Sequence, residues 1–285
     1  MSQKVRVLLP KAFPRRLREI PDPPEQLWIE GTMPPEEHKW LCVVGSRRYS
    51  PYGKEVCEKL IAGLSNKPVA IVSGLALGID SIAHRAALES GLKCVVVPGS
   101  GISREVLYPV SNRRFADKIV DSGGCLISEF SPSFAATLWS FPQRNRIMAG
   151  LSDAVLVIEA EKKSGTLITA RLASEYNRDV LAVPGSIFAS SSEGPHLLTR
   201  LGATSVRNSE ELLSALGFKS ENTEKKNYDD CSPEEMEIIK LLKNPMERDA
   251  LLSASKLPIS KTNAVLSLLE IKGLISETMG EIHLA

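Results

Sequence analysis

Two arginines and an amide stand side by side in the segment FPQRNRIMAGLSD, which runs from Phe141 to Asp153. Guanidinium and amide groups at this spacing offer several N–H donors to carboxylate or phosphate oxygens. Arg144, Asn145 and Arg146 therefore predict one of two arrangements. Either they form structural ion pairs, or they hold a strongly negative ligand.

Helix geometry separates the roles of these two arginines. Ser140 and Gln143 have the S-x-x-Q spacing of a capping box, which predicts that a helix begins here. Residues two apart in a helix lie about 200° apart around its axis, so both arginines cannot reach one small ligand. We expect one to reach a binding site and the other to pair with a carboxylate. The candidate partners are Glu129, Asp153 and Glu159.

A second cationic stretch, EKKSGTLITAR, follows an apolar run and begins at Glu161. Its Ser164 is a predicted N-cap, so the next residues open a helix whose free N–H groups and dipole attract anions. This arrangement suits a phosphate, and an ordinary cap beside a solvated lysine pair is the alternative. The residues concerned are Lys162, Lys163, Ser164, Gly165 and Thr166.

Asp80 and His84 lie four residues apart in GIDSIAHRAAL, on one face of a predicted helix. A carboxylate near an imidazole can act in general acid–base catalysis. No nucleophile or metal ligand accompanies this pair, so we favour a structural hydrogen bond that fixes a turn.

Short apolar runs, rich in β-branched residues, alternate with helical segments between residues 40 and 216. This pattern predicts strands buried on both faces, joined by right-handed crossovers into an α/β domain with a doubly wound, mostly parallel sheet. The runs are LCVVGS from Leu41, VAIVSG from Val69, CVVVPGS from Cys94, CLISEF from Cys125, AVLVIEA from Ala154 and VLAVPGS from Val180.

Small and cationic residues follow several of these strands. Ligands of such sheets bind beyond the carboxyl ends of the strands, where small residues allow close approach to the backbone. Simple turn chemistry is the alternative for any single glycine. Together the strand ends predict a cationic trough at one edge of the sheet. They are Gly45, Ser46, Arg47 and Arg48; Ser73 and Gly74; residues 98–101; and residues 184–186.

The flanks of this domain have a different character. Residues 1–39 are predicted to be an N-terminal arm and lead-in segment, and residues 217–231 a linker, because the apolar period is lost there. Residues 232–285 predict three helices and a hairpin, which is typical of a winged-helix domain. Ser232 is the predicted N-cap of the first helix, ahead of Pro233. Ser260 is the predicted N-cap of the third helix, which ends at Gly273, and Met279-Gly280 is the predicted hairpin turn.

Composition excludes several classes of protein. With 43% hydrophobic and 24% charged residues among 285, the chain can build a sizeable core, and its net charge of +1 makes any anion site local. The cysteines form no CxxC or Cys/His cluster, so no metal is expected, and their odd number fits reduced thiols in the cytoplasm. No apolar stretch of about 18 residues predicts a membrane span. The phosphate-binding P-loop, the nucleophile elbow and a complete GxGxxG are absent, so no cofactor is expected.

The order of these motifs resembles the bacterial DNA-processing protein A family, DprA/Smf, over about residues 25–215. The matching segments are LWIEG, VVGSRRYSPYG, SGLALGIDSIAHRAAL, VVPGSGISREVLYPVSN, SGGCLISEF, FPQRNRIMAGLSD, VLVIEAEKKSGTLITARLA and AVPGSI. The resemblance implies an extended Rossmann-like domain that binds single-stranded DNA. It also implies a homodimer that protects incoming DNA and loads the RecA recombinase during natural transformation or recombination.

Family likeness also implies which residues contact DNA: Ser46, Arg47, Arg48 and the loop 162–166. One departure is Leu77, where members usually carry arginine, and another is the helical N-terminal domain of some members, which the sequence lacks. Stacking of bases on aromatic rings would involve few residues, since only 5% are aromatic. Phe141 and Phe188 are the candidates, although we expect both in the core.

Two other functions remain open at this stage. Enzymes of a related Rossmann-like fold cleave nucleoside monophosphates. If this chain were such an enzyme, Asp80 or Glu129 would be catalytic, but KKSGTL stands where those enzymes have a glycine-rich loop. The winged helix would alternatively read duplex DNA with the helix 260–272, which offers Lys261, Asn263 and Lys272 but few other base-reading side chains.

Overall fold

The computed structural model describes residues 5–218, 231–242, 246–278 and 280–284. The chain divides between residues 219 and 220 into two compact units. The larger unit contains a nine-stranded sheet, and the smaller one a three-stranded sheet.

The sheet of the larger unit confirms the predicted doubly wound, mostly parallel architecture. Its strands lie in the order β1-β2-β6-β5-β4-β3-β7-β8-β9, and all neighbours from β6 to β9 are parallel. The strand order therefore reverses between β3 and β7, where open α/β sheets bind ligands. The strands are β1 Arg6–Leu8, β2 Leu27–Gly31, β3 Lys39–Val44, β4 Val69–Ser73, β5 Lys93–Val96, β6 Cys125–Ser128, β7 Ala154–Val157, β8 Asp179–Ala182 and β9 Thr204–Ser205.

Helices cover both faces of this sheet, as a doubly wound fold requires. The helices α2, α3, α4 and α8 pack on one face, and α1, α5, α6 and α7 on the other. Strand β3 shows why: Leu41 and Val43 enter one core, whereas Trp40, Cys42 and Val44 enter the other. The helices are α1 Arg15–Arg18, α2 Pro51–Ala62, α3 Ile79–Glu89, α4 Arg113–Asp121, α5 Ser140–Leu151, α6 Thr166–Glu175, α7 Glu193–Arg200 and α8 Ser209–Ala215.

The N-terminal segment is part of this domain rather than an arm ahead of it. Strand β1 pairs with β2, and β2 pairs antiparallel with β6, so residues 6–31 extend the sheet at one edge. Phe13, Leu17 and Ile20 are buried in the core on the α5 face. The prediction of a lead-in segment was wrong: Phe13, Leu17 and Ile20 have the i, i+4, i+7 spacing of a helix face, and this signal was missed in the sequence.

The smaller unit contains three helices and an antiparallel sheet in the order β10-β12-β11. Among its described residues, nine buried apolar side chains form a core. Its elements are α9 Pro233–Leu241, β10 Met246–Glu247, α10 Arg248–Ala254, α11 Ile259–Ile271, β11 Ile275–Thr278 and β12 Glu281–Leu284.

Two of the predicted helix boundaries in this unit are confirmed and one is wrong. Ser232 caps α9 in a capping box with Glu235, and Gly273 follows α11 with φ of 65°. The cap predicted at Ser260 is wrong, because α11 begins at Ile259 after Pro258, whose fixed φ suits that position. Met279 of the predicted hairpin turn lies outside the described residues. Residues 219–230 of the predicted linker lie outside them as well.

Candidate nucleic-acid interface

A cavity of about 410 Å³ opens at the carboxyl ends of β3 and β7, where the strand order reverses. We call it the trough. Most of the residues predicted to bind DNA line it, although they come from three separate segments of the chain, and a fourth segment adds Ala76 and Asp80. The lining residues are Val44, Gly45, Ser46, Arg47, Arg48, Ala76, Asp80, Phe141, Pro142, Arg144, Asn145, Met148, Glu161, Lys163, Ser164, Gly165, Thr166, Ile168 and Thr169.

The first wall is the loop that follows β3, and the start of α3 holds it in place. The Ile79 N–H donates to the Ser46 carbonyl at 3.2 Å. Gly78 lies beneath this loop with φ of 85°, and a Cβ there would lie only 2.3 Å from that same oxygen. Only glycine fits so close to the Ser46 carbonyl oxygen, and this role of Gly78 was not predicted from the sequence. The visible signal was a glycine immediately before a helix. The loop is therefore fixed while the side chains of Arg47 and Arg48 are exposed.

The second wall is the loop that opens α6. The Ser164 hydroxyl accepts a hydrogen bond from the Thr166 N–H at 3.2 Å, although the N-cap position is Gly165, one residue beyond the predicted cap. The Thr166 hydroxyl donates to the Gly45 carbonyl at 3.2 Å and ties the two walls together. Lys163 lines the trough, whereas Lys162 is exposed beside it.

Arg144 forms the floor of the trough and is only 5% exposed. Its Nη1 donates to the Val97 carbonyl at 2.5 Å, and within the described chain its Nε has no partner. Burial lowers the pKa of Arg144 from its ordinary value, and the Asp80 carboxylate acts in the opposite direction. A buried guanidinium with an unused donor contributes positive charge to the trough from below.

Gly74 packs against the side chain of Arg144 instead of lining the trough. A Cβ at this position would lie 1.6 Å from Nη1 of Arg144, so the floor arginine requires glycine here. The Gly74 N–H also donates to Oδ2 of Asp80 at 3.1 Å. This bond fixes the turn between β4 and α3, so Asp80 has a structural role as favoured. The hydrogen bond expected between Asp80 and His84 was wrong, because neither ring nitrogen of His84 has a partner among the described residues. Burial raises the pKa of Asp80, while Arg144 lowers it.

Arg146 points away from the trough. It forms an ion pair with Glu129 and a second, at 3.4 Å, with Asp22 of the N-terminal segment. The predicted division of roles between the two arginines is confirmed, with Glu129 as the carboxylate partner, and Arg146 does not line the site. The predicted capping box is wrong: α5 has Trp139 at its N-cap, and the Ser140 hydroxyl instead donates to the Gly99 carbonyl at 2.5 Å.

Asn145 and Phe141 complete the rim on the α5 side. Asn145 is 8% exposed and lines the trough. The Arg47 guanidinium lies over the Phe141 ring at 5.4 Å, and Tyr108 packs edge-on to that ring at 5.8 Å. Phe141 is thus half-buried at the rim and Phe188 is 92% exposed, so the core positions expected for both were wrong.

The charges that reach the trough are mostly positive. Arg47, Arg48, Lys162 and Lys163 form no ion pair with any residue that the structure describes. Glu161 is the exposed carboxylate on the rim. Among the same residues, no group of three His, Cys, Asp or Glu side chains has the arrangement of a metal site. The arrangement suits an extended polyanion held by separate cations and backbone N–H groups.

The fold defines a class: doubly wound α/β domains with a mostly parallel sheet, whose switch point here carries the trough. The family model described as DNA recombination-mediator protein A matches residues 4–217. The chain belongs to this family, as the resemblance in its sequence predicted.

Curated relatives and solved structures agree with this membership. Protein Smf of Escherichia coli is 41% identical over 72% of this chain, and the match spans only 54% of that protein. DNA processing protein DprA of Streptococcus pneumoniae is 42% identical over 74% of this chain and 73% of its own. The X-ray structure of the S. pneumoniae protein superimposes with a TM-score of 0.70, at 41% identity and 74% coverage of both chains.

A second solved structure is DNA processing protein A from Helicobacter pylori, described with a single-stranded DNA binding mode. It is 28% identical, with a TM-score of 0.66, and the match covers 76% of this chain and 98% of that one. In the part of our chain that the structure describes, none of the helices is long and apolar enough to cross a bilayer.

Proposed function

We propose that this chain binds single-stranded DNA in the trough and breaks no bond in it. The observation that carries the proposal is the convergence of four separate segments on one cavity whose exposed arginines and lysines have no carboxylate partner among the described residues. Cations without partners gain more from a phosphate than cations already in ion pairs, since no existing pair has to be broken.

The trough offers two kinds of contact to a single strand. Arg47, Arg48 and Lys163 offer charge to phosphates, and the positive end of the α6 dipole adds to it. The half-buried Phe141 offers a ring edge to the bases. Few groups address base edges, so binding is sequence-tolerant and depends steeply on salt. Leu77, 52% exposed near the rim, replaces the arginine common in the family and leaves one fewer cation.

The wider role we propose follows from family membership. The protein acts in the cytoplasm as a homodimer, protects incoming single strands, and loads the RecA recombinase onto them during natural transformation or general recombination. The support for this part is the match to a family described as recombination mediators and to relatives described as DNA processing proteins.

A nucleotide-cleaving enzyme is the second candidate, because Asp80 lies in the trough, is buried, and has a raised pKa. Two features count against it. Oδ2 of Asp80 accepts the Gly74 N–H and is engaged in holding a turn, and the other candidate, Glu129, pairs with Arg146 outside the trough. Incubation with nucleoside monophosphates, with chromatography for released base, tests this candidate. Release that Asp80→Ala abolishes would establish it.

Duplex reading by the smaller unit is disfavoured by its ion pairs. Lys261 pairs with Glu234 at 2.5 Å, and Lys272 pairs with Glu235 at 2.6 Å. The Asn263 side-chain oxygen accepts a hydrogen bond from Arg248. The polar side chains that α11 offers to a groove are thus already engaged within the unit. We infer that this winged-helix-like unit serves protein contacts or weak duplex binding.

Competition between single-stranded and duplex oligonucleotides at two salt concentrations tests the main proposal. We expect single strands to be preferred and affinity to fall steeply as salt rises. Clear preference for duplex, or affinity that does not respond to salt, would contradict it.

A further inference from the structure

Three aromatic side chains are exposed on the β8 side of the trough: Tyr49, Tyr52 and Phe188. They are 45%, 47% and 92% exposed, respectively. Aromatic rings displayed in this way present large apolar faces to water, and a group of them marks a binding surface. None of them lines the trough itself.

The three rings lie in the loop after β3, at the start of α2 and in the loop after β8, all at the same edge of the sheet. Tyr49 follows Arg48 directly in the loop after β3, and the Tyr52 hydroxyl donates to the Pro184 carbonyl in the loop after β8 at 2.6 Å. Only β7 separates β3 from β8, so the two strand ends are about 10 Å apart at the usual spacing of strands. The rings therefore continue the rim of the trough beyond Arg48.

The turn that carries Phe188 is well defined by hydrogen bonds. The Phe188 N–H donates to the Ser186 hydroxyl at 3.2 Å, and the Ala189 N–H donates to the Ser186 carbonyl at 3.1 Å. A ring nitrogen of His196 lies 3.1 Å from the Gly185 carbonyl oxygen. A fixed turn that places a phenylalanine in solvent loses little entropy when a flat ligand stacks on the ring.

We propose that Tyr49, Tyr52 and Phe188 form a stacking platform for the bases of a single strand whose phosphates occupy the trough. The platform rests on the proposed function and adds to it a direction, from the trough across the start of α2 towards the loop after β8. Every base has a π face, so an aromatic platform accepts any sequence, as the cations of the trough do. The adjoining Arg48 supplies the backbone contact that such a path requires.

Fluorescence anisotropy with oligodeoxyadenylates of two lengths tests this platform. A strand of about 4 nucleotides fills the trough alone, whereas one of about 12 also reaches the platform. We expect Phe188→Ala to weaken binding of the longer strand about fivefold or more, with the affinity for the short strand and the salt slope unchanged. The same longer strand with abasic sites in place of its outer bases should bind wild type and variant equally.

Ile187→Ala is the matched control, since Ile187 is 79% exposed in the same turn and has no ring. Stacking predicts that this variant keeps wild-type affinity for the longer strand. Equal affinity of wild type and Phe188→Ala for the longer strand would overturn the platform. So would a shift of both variants to a smaller species in sedimentation velocity, which would assign this turn to contacts between copies of the chain. Failure of the wild type to bind the short strand would instead refute the proposed function.

Discussion

Arg48→Ala tests whether the exposed cations of the trough hold phosphates. The Arg48 side chain is exposed and, in the described chain, makes no ion pair, while its backbone N–H donates to the Ser46 hydroxyl at 3.0 Å, a bond that alanine preserves. The substitution should therefore leave the fold unchanged. Four exposed cations, Arg47, Arg48 and Lys163 in the trough and Lys162 beside it, predict a slope of log affinity against log salt of about −2.8, or about −0.7 for each phosphate contact.

Removal of one contact should reduce this slope to about −2.1. Between about 50 and 200 mM salt, the wild-type affinity should fall about 50-fold and that of the variant about 18-fold. The variant should then bind about eightfold more weakly than wild type at the lower salt concentration, and about threefold more weakly at the higher one.

Anisotropy titrations with a labelled deoxythymidine oligomer over this salt range measure both slopes. Arg114→Ala is the matched control, because Arg114 is an exposed arginine of α4 that does not line the trough. Its slope should equal that of wild type. If Arg48→Ala also kept the wild-type slope and affinity, the assignment of phosphates to this wall would be refuted.

Three further predictions concern the rest of the molecule. Arg146→Ala should lower the free energy of unfolding by about 2–3 kcal/mol, because the partly buried Glu129 loses its ion-pair partner and keeps only the hydrogen bond from the Gln143 amide. It should leave the salt slope of DNA binding unchanged. Urea denaturation and anisotropy measure the two effects, and unaltered stability would contradict the structural role. Burial lowers the pKa of His84 from 6.5 to about 4. The stability that its neutral ring contributes is therefore fully present above pH 6.5, and about 3 kcal/mol of the free energy of unfolding is lost as the pH falls to 4. His84→Gln should flatten the dependence of this free energy on pH, and an unchanged pH profile would show that His84 is not responsible. Deletion of residues 220–285 should leave most single-strand affinity intact, because the trough lies wholly within the larger unit, and complete loss of binding in the anisotropy assay would move the site to the smaller one.

Much of the site could be predicted from the sequence because its signals are local. Apolar runs of strand length placed the loops at the carboxyl ends, and parallel pairing brings such ends to one edge. The helical period alone showed that Arg144 and Arg146 serve different roles. The order of motifs predicted the family, which the match over residues 4–217 shows.

Other features depended on partners distant in the chain. The helical period placed Arg144 and Arg146 on different sides of the helix but did not show which of them faces the trough. Arg146 faces away because it pairs with Glu129 and with Asp22, which is more than a hundred residues away in the chain. The capping box at Ser140 failed because its hydroxyl donates to the distant Gly99 carbonyl and accepts the Thr137 N–H instead of an N–H of α5. Residues 6–31 entered the sheet by pairing with β6, and no local pattern indicates that pairing.

The sequence by itself determined strands β3 to β8, the helices α2, α3, α5 and α6, and the edge of the sheet at which the trough opens, since each of these depends on near neighbours and a fixed period. Tertiary structure alone decided which side chains have partners and which face solvent. Examples are the buried Arg144 at the floor of the trough, Arg146 in its ion pairs, and the exposed Phe188. The physical reason is that burial and charge pairing depend on distances between segments, which the chain acquires only when the sheet is assembled.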